Sequence, residues 1–232
     1  MTRFGLIRGW LAVAAVGLAY AAPPTWFPGA DETLSYTVNW PSGLSLGEGR
    51  LSARQAGDKW EFDFSLDAAV PGFAVSDRYR SLATADFCSL EFDKDATHGR
   101  RKSKEKTTFD YRKGTARRAT VGGGKTEIPI GGCARDALDF VFWVRRELSQ
   151  GRVPPPQTVL FGSSYQVRLE YGGVQTVAVN DKRREADRVA VYSKGPASEL
   201  NFEVFFARDP ARTPLVVRVP FALGIFSMEL AP

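Results

Sequence analysis

From residue 33 onward, large apolar and polar side chains alternate with a period of two. Leu34, Tyr36, Val38 and Trp40 alternate with Thr33, Ser35, Thr37 and Asn39. Trp60, Phe62, Phe64 and Leu66 alternate with Glu61, Asp63, Ser65 and Asp67. The sets Tyr165, Val167, Leu169, Tyr171 and Leu200, Phe202, Val204, Phe206 repeat the pattern. Such spacing puts bulky groups on one face of a strand and polar groups on the other, as in an antiparallel sheet with one wet face. Further strands are expected near 45–54, 86–92, 99–112, 115–121, 174–180, 187–193, 214–220 and 223–230. Pro41-Ser42-Gly43, Ala56-Gly57-Asp58, Gly172-Gly173 and Asp209-Pro210-Ala211 supply turns between them. Regularly spaced strands with short turns predict an all-β, β-dominated fold, a strongly curved antiparallel sheet that is half-barrel or barrel-like.

One amphipathic helix is expected at about 136–149. Asp136 serves as its cap, and Asp139 adds negative charge to the first turn. Leu138, Val141 and Phe142 form an i, i+3, i+4 stripe, extended by Arg145 and Leu148. Arg145 and Arg146 suit the negative end of the helix dipole, and Gly151 and Pro154 stop the helix. Beside a curved sheet, this helix either joins the core or closes over a ligand cavity.

Residues 1–21 follow a different rule. Arg3 and Arg8 flank the start of an apolar run, Gly9 to Leu18, and Ala19-Tyr20-Ala21 forms a cleavage box. This is the pattern of a secretory signal peptide, which leaves 22–232 as a single β-rich domain. An uncleaved N-terminal anchor is the alternative, although the run is shorter than the roughly 20 residues of a spanning helix. No later stretch is long and apolar enough to span, so no transmembrane helix is expected in the mature chain. The expected location is periplasmic or secreted.

Composition narrows the chemistry. Of 232 residues, 44% are hydrophobic and 25% charged, which fits a globular protein. Lys and Arg number 31 against 26 Asp and Glu, too small an excess to argue for nucleic acid. Two Cys and one His exclude a site with four Cys/His ligands. No metal site and no cofactor are expected. After export, Cys88 and Cys133 are expected to form a disulfide across 45 residues, with two free thiols as the alternative. A loop of that size corresponds to about 4 kcal/mol in the chain-entropy account.

Catalytic motifs fail on context. Ala119 to Thr126 fits a relaxed phosphate-loop pattern, but Pro129 stands where the required helix would run. Ser103 to Lys106 matches S-x-x-K without the partner motifs of penicillin-recognising enzymes. His98 lies in a charged, Gly-flanked turn and reads as a surface residue. Asp136 and Asp139 read as helix-start residues rather than as glycosidase acids. No catalytic residue is assigned.

The basic stretch is the most informative surface feature. From Arg100 to Arg118 there are nine Lys and Arg, opposed only by Glu105 and Asp110. Arg100, Lys102, Lys104 and Lys106 are expected on one strand face, a cationic strip suited to lipid phosphates or anionic glycans. A solvated edge strand protected by lysines is the alternative. Without interleaved aromatics, the strip does not suit nucleic acid.

These residues resemble a known family. Asp136-Ala137-Leu138-Asp139, followed by Val144-Arg145-Arg146-Glu147-Leu148 and Gly151, is similar to the central signature of the bacterial domain-of-unknown-function 3108 family. Glu32 to Tyr36 and Gly47-Glu48-Gly49 fit its opening. Phe206 to Asp209, Pro214 to Val217, Gly224 and Glu229-Leu230 fit its end. Ala137 and Asp139 depart from the Pro and Ser that the family often carries. The resemblance implies an exported, β-rich envelope protein with no established activity and no assigned catalytic residues.

The expected function is therefore a non-enzymatic envelope protein that binds a lipid or other amphiphile, or an anionic envelope surface. A glycan- or lipid-acting envelope enzyme and a structural protein-interaction domain are the alternatives.

Overall fold

A computed structural model describes residues 31–70, 73–222 and 224–232. The expected signal peptide lies outside the described residues. In chain order the strands are β1 (Asp31–Asn39), β2 (Ser45–Ala56), β3 (Lys59–Val70), β4 (Phe73–Thr84), β5 (Ser89–His98), β6 (Arg101–Asp110), β7 (Thr115–Thr120), β8 (Lys125–Pro129) and β9 (Arg135–Asp136). Helix α1 (Ala137–Ser149) follows. Then come β10 (Gln157–Leu160), β11 (Ser164–Val179), β12 (Lys182–Lys194), β13 (Glu199–Ala207), β14 (Pro214–Phe221) and β15 (Gly224–Leu230).

The described strands form one 15-stranded sheet, in the order β8-β7-β6-β5-β4-β3-β2-β1-β15-β14-β13-β12-β11-β10-β9. Every pairing is antiparallel except β9 with β10. The fold is the expected β-dominated one, a large curled open sheet with one helix. The N- and C-terminal strands meet in the middle of the sheet, where Tyr36 faces Leu230 and Asn39 faces Ser227.

Alternation decides which face turns inward. Ala53, Phe62, Ser81, Phe92 and Thr107 form one cross-strand row, and all five are buried. Helix α1 lies against this face and fills it. Phe142 stacks on Phe62 with ring centroids 4.1 Å apart, and Phe87 stacks on Phe62 at 5.8 Å. Each such buried aromatic contributes about 1.5–3 kcal/mol through removal from water. Phe140, Trp143 and Val144 are buried along with the expected stripe, while Val141 is only half-buried. The curl therefore encloses the helix on more sides than a single stripe implies.

The Cys88–Cys133 disulfide is formed, with Cα atoms 4.8 Å apart. It ties the start of β5 to the approach to β9, the far edge of the sheet. A backbone bond from Ser89 N–H to the Ala134 carbonyl, 3.0 Å, lies beside it. Together they hold the curl closed around α1.

Several sequence expectations shift. Strand β4 was not expected, because its inward positions include Asp77 and Ser81 and so break the apolar alternation. The expected strands 86–92 and 99–112 are β5 and β6, and β5 runs on to His98 because inward-facing Lys94 and His98 hide its second half. Gly172-Gly173 is not a turn. It is a bulge inside β11, where the register against β12 shifts between Tyr171 and Val174. Beyond the bulge, Val177, Val179 and Ala186 pack with Phe205, Ala207, Leu215 and Val216, forming a second small core on the outside of β13 and β14.

Candidate functional site

Of the four predicted basic residues, Lys102, Lys104 and Lys106 share one strand face and Arg100 does not. Arg100 sits in the β5–β6 turn, outside the strand. Lys102, Lys104 and Lys106 lie on the outer face of β6, opposite Thr97, Asp95 and Asp93. Lys104 Nζ is 3.0 Å from Asp95, and Lys106 Nζ is 2.6 Å from Glu91. The hydrogen bond to Glu91 holds the Lys106 ammonium above its usual pKa. Among the described residues, no carboxylate lies within 4.0 Å of Arg100, Arg101 or Lys102.

Lys104 and Lys106 belong to a larger groove of about 600 Å³ over the outer face of β2 to β7. It carries Arg50, Arg78 and Arg80 as well, interleaved with Asp63, Asp93 and Asp95. Arg78 pairs with Asp67 at 2.5 Å and Arg80 with Glu61 at 3.1 Å. Burial raises the Asp63 carboxyl despite the pull of Arg80. An anion entering this groove competes with carboxylates already in place.

The interior holds charges of a different kind. Asp136 caps α1, accepting from the N–H groups of Leu138 and Asp139 at 2.9 and 3.0 Å and from the Ser81 and Ser89 hydroxyls at 2.6 and 2.7 Å. Ser89 Oγ also lies 3.0 Å from Asp139. Burial pushes the Asp139 carboxyl well above the usual carboxylate range, and the Asp136 charge adds to it. Both effects favour the protonated form of Asp139 and work against the first-turn negative charge expected of it. Tyr111 donates to the Ser89 and Ala134 carbonyls, and burial pushes its hydroxyl up to about 12.

On the other side of the helix, Arg145 is fully buried. It makes two bonds to Glu32, at 2.6 and 2.9 Å, and one to the Ala211 carbonyl at 3.0 Å. Asp136, Asp139, Ser81 and Ser89 are sealed from solvent, so these groups hold the helix and do not meet a substrate. His98 Nε2 reaches Asp77 at 2.8 Å, but nearby Ser103 donates its hydroxyl to Glu105. This arrangement gives no nucleophile–base pair.

One end of the sheet is unlike the other. Antiparallel alternation brings the β1–β2, β3–β4, β5–β6, β7–β8, β12–β13 and β14–β15 connections to a single end. Six of the nine exposed large hydrophobics of the described chain belong to these hairpins: Leu44, Phe73, Val121, Leu200, Phe221 and Ile225, each 41–76% exposed. Some touch across hairpins. Trp40 meets Phe226 edge-on at 4.9 Å, and Phe226 meets Phe221 at 5.4 Å. Phe73 lies so close to Gly99 that a Cβ there would come within 2.9 Å of its ring. Arg100, Arg101 and Lys102 follow directly. The disulfide and the start of α1 occupy the opposite end.

Sequence reading missed this apolar rim. Its signal was an apolar residue directly beside some of the turns, as in Gly43-Leu44 and Val121-Gly122. No helix among the described residues is long and apolar enough to cross a membrane.

The family described as "Protein of unknown function (DUF3108)" matches residues 35–231. No curated protein matches the chain. A crystal structure of a β-barrel-like protein of domain of unknown function DUF1849 from Brucella abortus aligns with a TM-score of 0.58 at 10% identity, over 87% of this chain and 96% of that one. That likeness is one of fold. A protein named "putative lipoprotein" from Parabacteroides distasonis ATCC 8503 aligns with a TM-score of 0.35 at 6% identity, over 88% and 96%, too distant to carry an argument.

Proposed function

This chain belongs to the DUF3108 family of proteins of unknown function, and from that premise we propose that it is a non-enzymatic envelope protein that binds an anionic envelope surface. The contact is made by the hairpin end carrying Arg100, Arg101 and Lys102. Export rests on the signal-peptide pattern of residues 1–21 and agrees with an oxidised cysteine pair.

The observation that carries this reading is the difference between the cations of the basic stretch. Lys104 and Lys106 are engaged by Asp95 and Glu91, whereas Arg100, Arg101 and Lys102 have no carboxylate partner among the described residues and stand at one end of the sheet. Each Lys or Arg near an anionic surface contributes about 1 kcal/mol. Three such residues give about 3 kcal/mol, roughly a hundredfold in affinity.

An internal amphiphile carrier has less support, because α1 occupies the concave face and Phe142 lies directly on Phe62. The test is co-flotation of the purified mature protein with phosphatidylglycerol vesicles and with neutral phosphatidylcholine vesicles. The Arg100→Ala, Arg101→Ala, Lys102→Ala variant is expected to bind the anionic vesicles about a hundredfold more weakly. Undiminished binding would overturn the assignment. A stoichiometric lipid in the denatured extract of the purified protein would instead support the carrier.

A further inference from the structure

We propose that the surface recognised is a lipid bilayer and that the hairpin end enters it, with the apolar tips as insertion elements. This rests on the anionic-surface reading above and specifies its target. A purely electrostatic contact with a hydrated polyanion needs only cations. This end carries a second feature that such a contact leaves unused. Phe73, Phe221, Ile225 and Leu44 stand exposed at hairpins on the same end as Arg100, Arg101 and Lys102.

The arrangement is what an interface between water and hydrocarbon selects. Apolar side chains at the tips leave water on insertion, and flanking Arg and Lys reach the phosphate layer while their stems stay in the apolar zone. Aromatic rings favour the boundary between the two, where the half-buried Trp40, packed on Phe226, would sit. Charge complementarity selects the anionic bilayer over an apolar protein patch. The one opposing carboxylate in these tips is Glu199, which faces Lys194 across the β12–β13 hairpin. Among the described residues, large exposed hydrophobics elsewhere are few: Val153, and Tyr171 with Val174 at the β11 bulge. The sheet would therefore stand end-on, with the disulfide end pointing away from the membrane.

The test uses the mature protein and vesicles of phosphatidylglycerol and phosphatidylcholine, with and without brominated acyl chains. Brominated lipid is expected to quench a fluorescence component that disappears in Trp40→Phe. Phe73→Ser with Phe221→Ser is expected to weaken partitioning at least tenfold and to leave residual binding that high salt removes. Ile225→Ser provides a second exposed position. Near-ultraviolet circular dichroism, unchanged in these variants, shows that the fold is retained.

Binding that is fully salt-sensitive, unquenched and indifferent to the tip substitutions would overturn insertion while preserving the anionic-surface reading. Equal binding to a soluble anionic polysaccharide without quenching would do the same. No binding to any anionic surface would remove both. A vesicle-free dimer that the tip substitutions convert to monomer would assign the apolar tips to self-association and overturn insertion.

Discussion

Asp136 and Asp139 share the hydroxyl of Ser89, at 2.7 and 3.0 Å. One hydroxyl carries one proton, and Ser89 Oγ also accepts from the Asp136 N–H at 2.7 Å. If Ser89 donates to Asp136, its bond to Asp139 requires a proton on the Asp139 carboxyl. The other oxygen, Asp139 Oδ1, is buried without a partner among the described residues, which an ionised carboxylate would tolerate poorly.

A pH dependence follows. A carboxyl whose native pKa is raised stays protonated where the unfolded chain has already ionised, so the native state holds more protons. Stability then falls as pH rises from the ordinary value of 3.8 toward the raised native one. Burial raises Asp136 too, which acts in the same direction. Asp139→Asn keeps the shape and removes one titration, so it is expected to flatten the decline. Calorimetric Tm values at pH 5 and pH 8 check this. A wild-type Tm that climbs across that window would contradict a neutral Asp139.

The buried pair of Arg145 and Glu32 gives a second expectation. Glu32→Ala leaves the Arg145 guanidinium without its carboxylate in the core, at a cost of about 3–5 kcal/mol. Replacing both, as Glu32→Leu with Arg145→Met, is expected to recover much of that loss. Urea denaturation of the two variants compares them. Equal destabilisation would mean that Arg145 matters through its other contacts.

Removing the disulfide with Cys88→Ser and Cys133→Ser is expected to cost about 2–5 kcal/mol. Because the bridge and the Ser89–Ala134 bond close the same seam, hydrogen exchange should accelerate first at Ser89 and at the start of α1. Acceleration spread evenly over the sheet would argue against a local clasp.

The two halves of the basic stretch should behave differently. Lys104→Ala with Lys106→Ala breaks two exposed pairs, each worth about 0–1 kcal/mol, and should change anionic-vesicle binding little. Arg100→Ala with Lys102→Ala should lower it strongly. Vesicle titration at low ionic strength separates them, and a larger loss from the Lys104/Lys106 variant would move the contact to the groove.

What the sequence disclosed depended on whether each inward position was apolar. Phe62 and Phe64 announced β3, and Asp136 marked the start of α1 to the residue. Asp77 and Ser81 concealed β4, and Lys94 concealed half of β5, because interior polar groups satisfied by distant partners have no local signature. Ser81 meets Asp136 across 55 residues of chain, and only the curl brings them together. The basic strip was legible as composition. Its division into engaged and unengaged cations was not, because that depends on Asp95 and Glu91 in the neighbouring strand. The rim was not legible because Gly and Pro mark the turns themselves and give no signal for the apolar residues beside them.

The meeting of β1 with β15 sets an order of assembly. The first described strand finds its second neighbour only in the last, so the middle of the sheet cannot be completed until β15 is available. Such sequence-distant pairing is slow to nucleate. A chain cut before Gly224 would keep β1 and β14 as two open edges at its centre, each a template for another molecule. The late arrival of β15 therefore makes the unfinished chain prone to intermolecular strand exchange, and holdase binding to such intermediates would protect it until β15 docks.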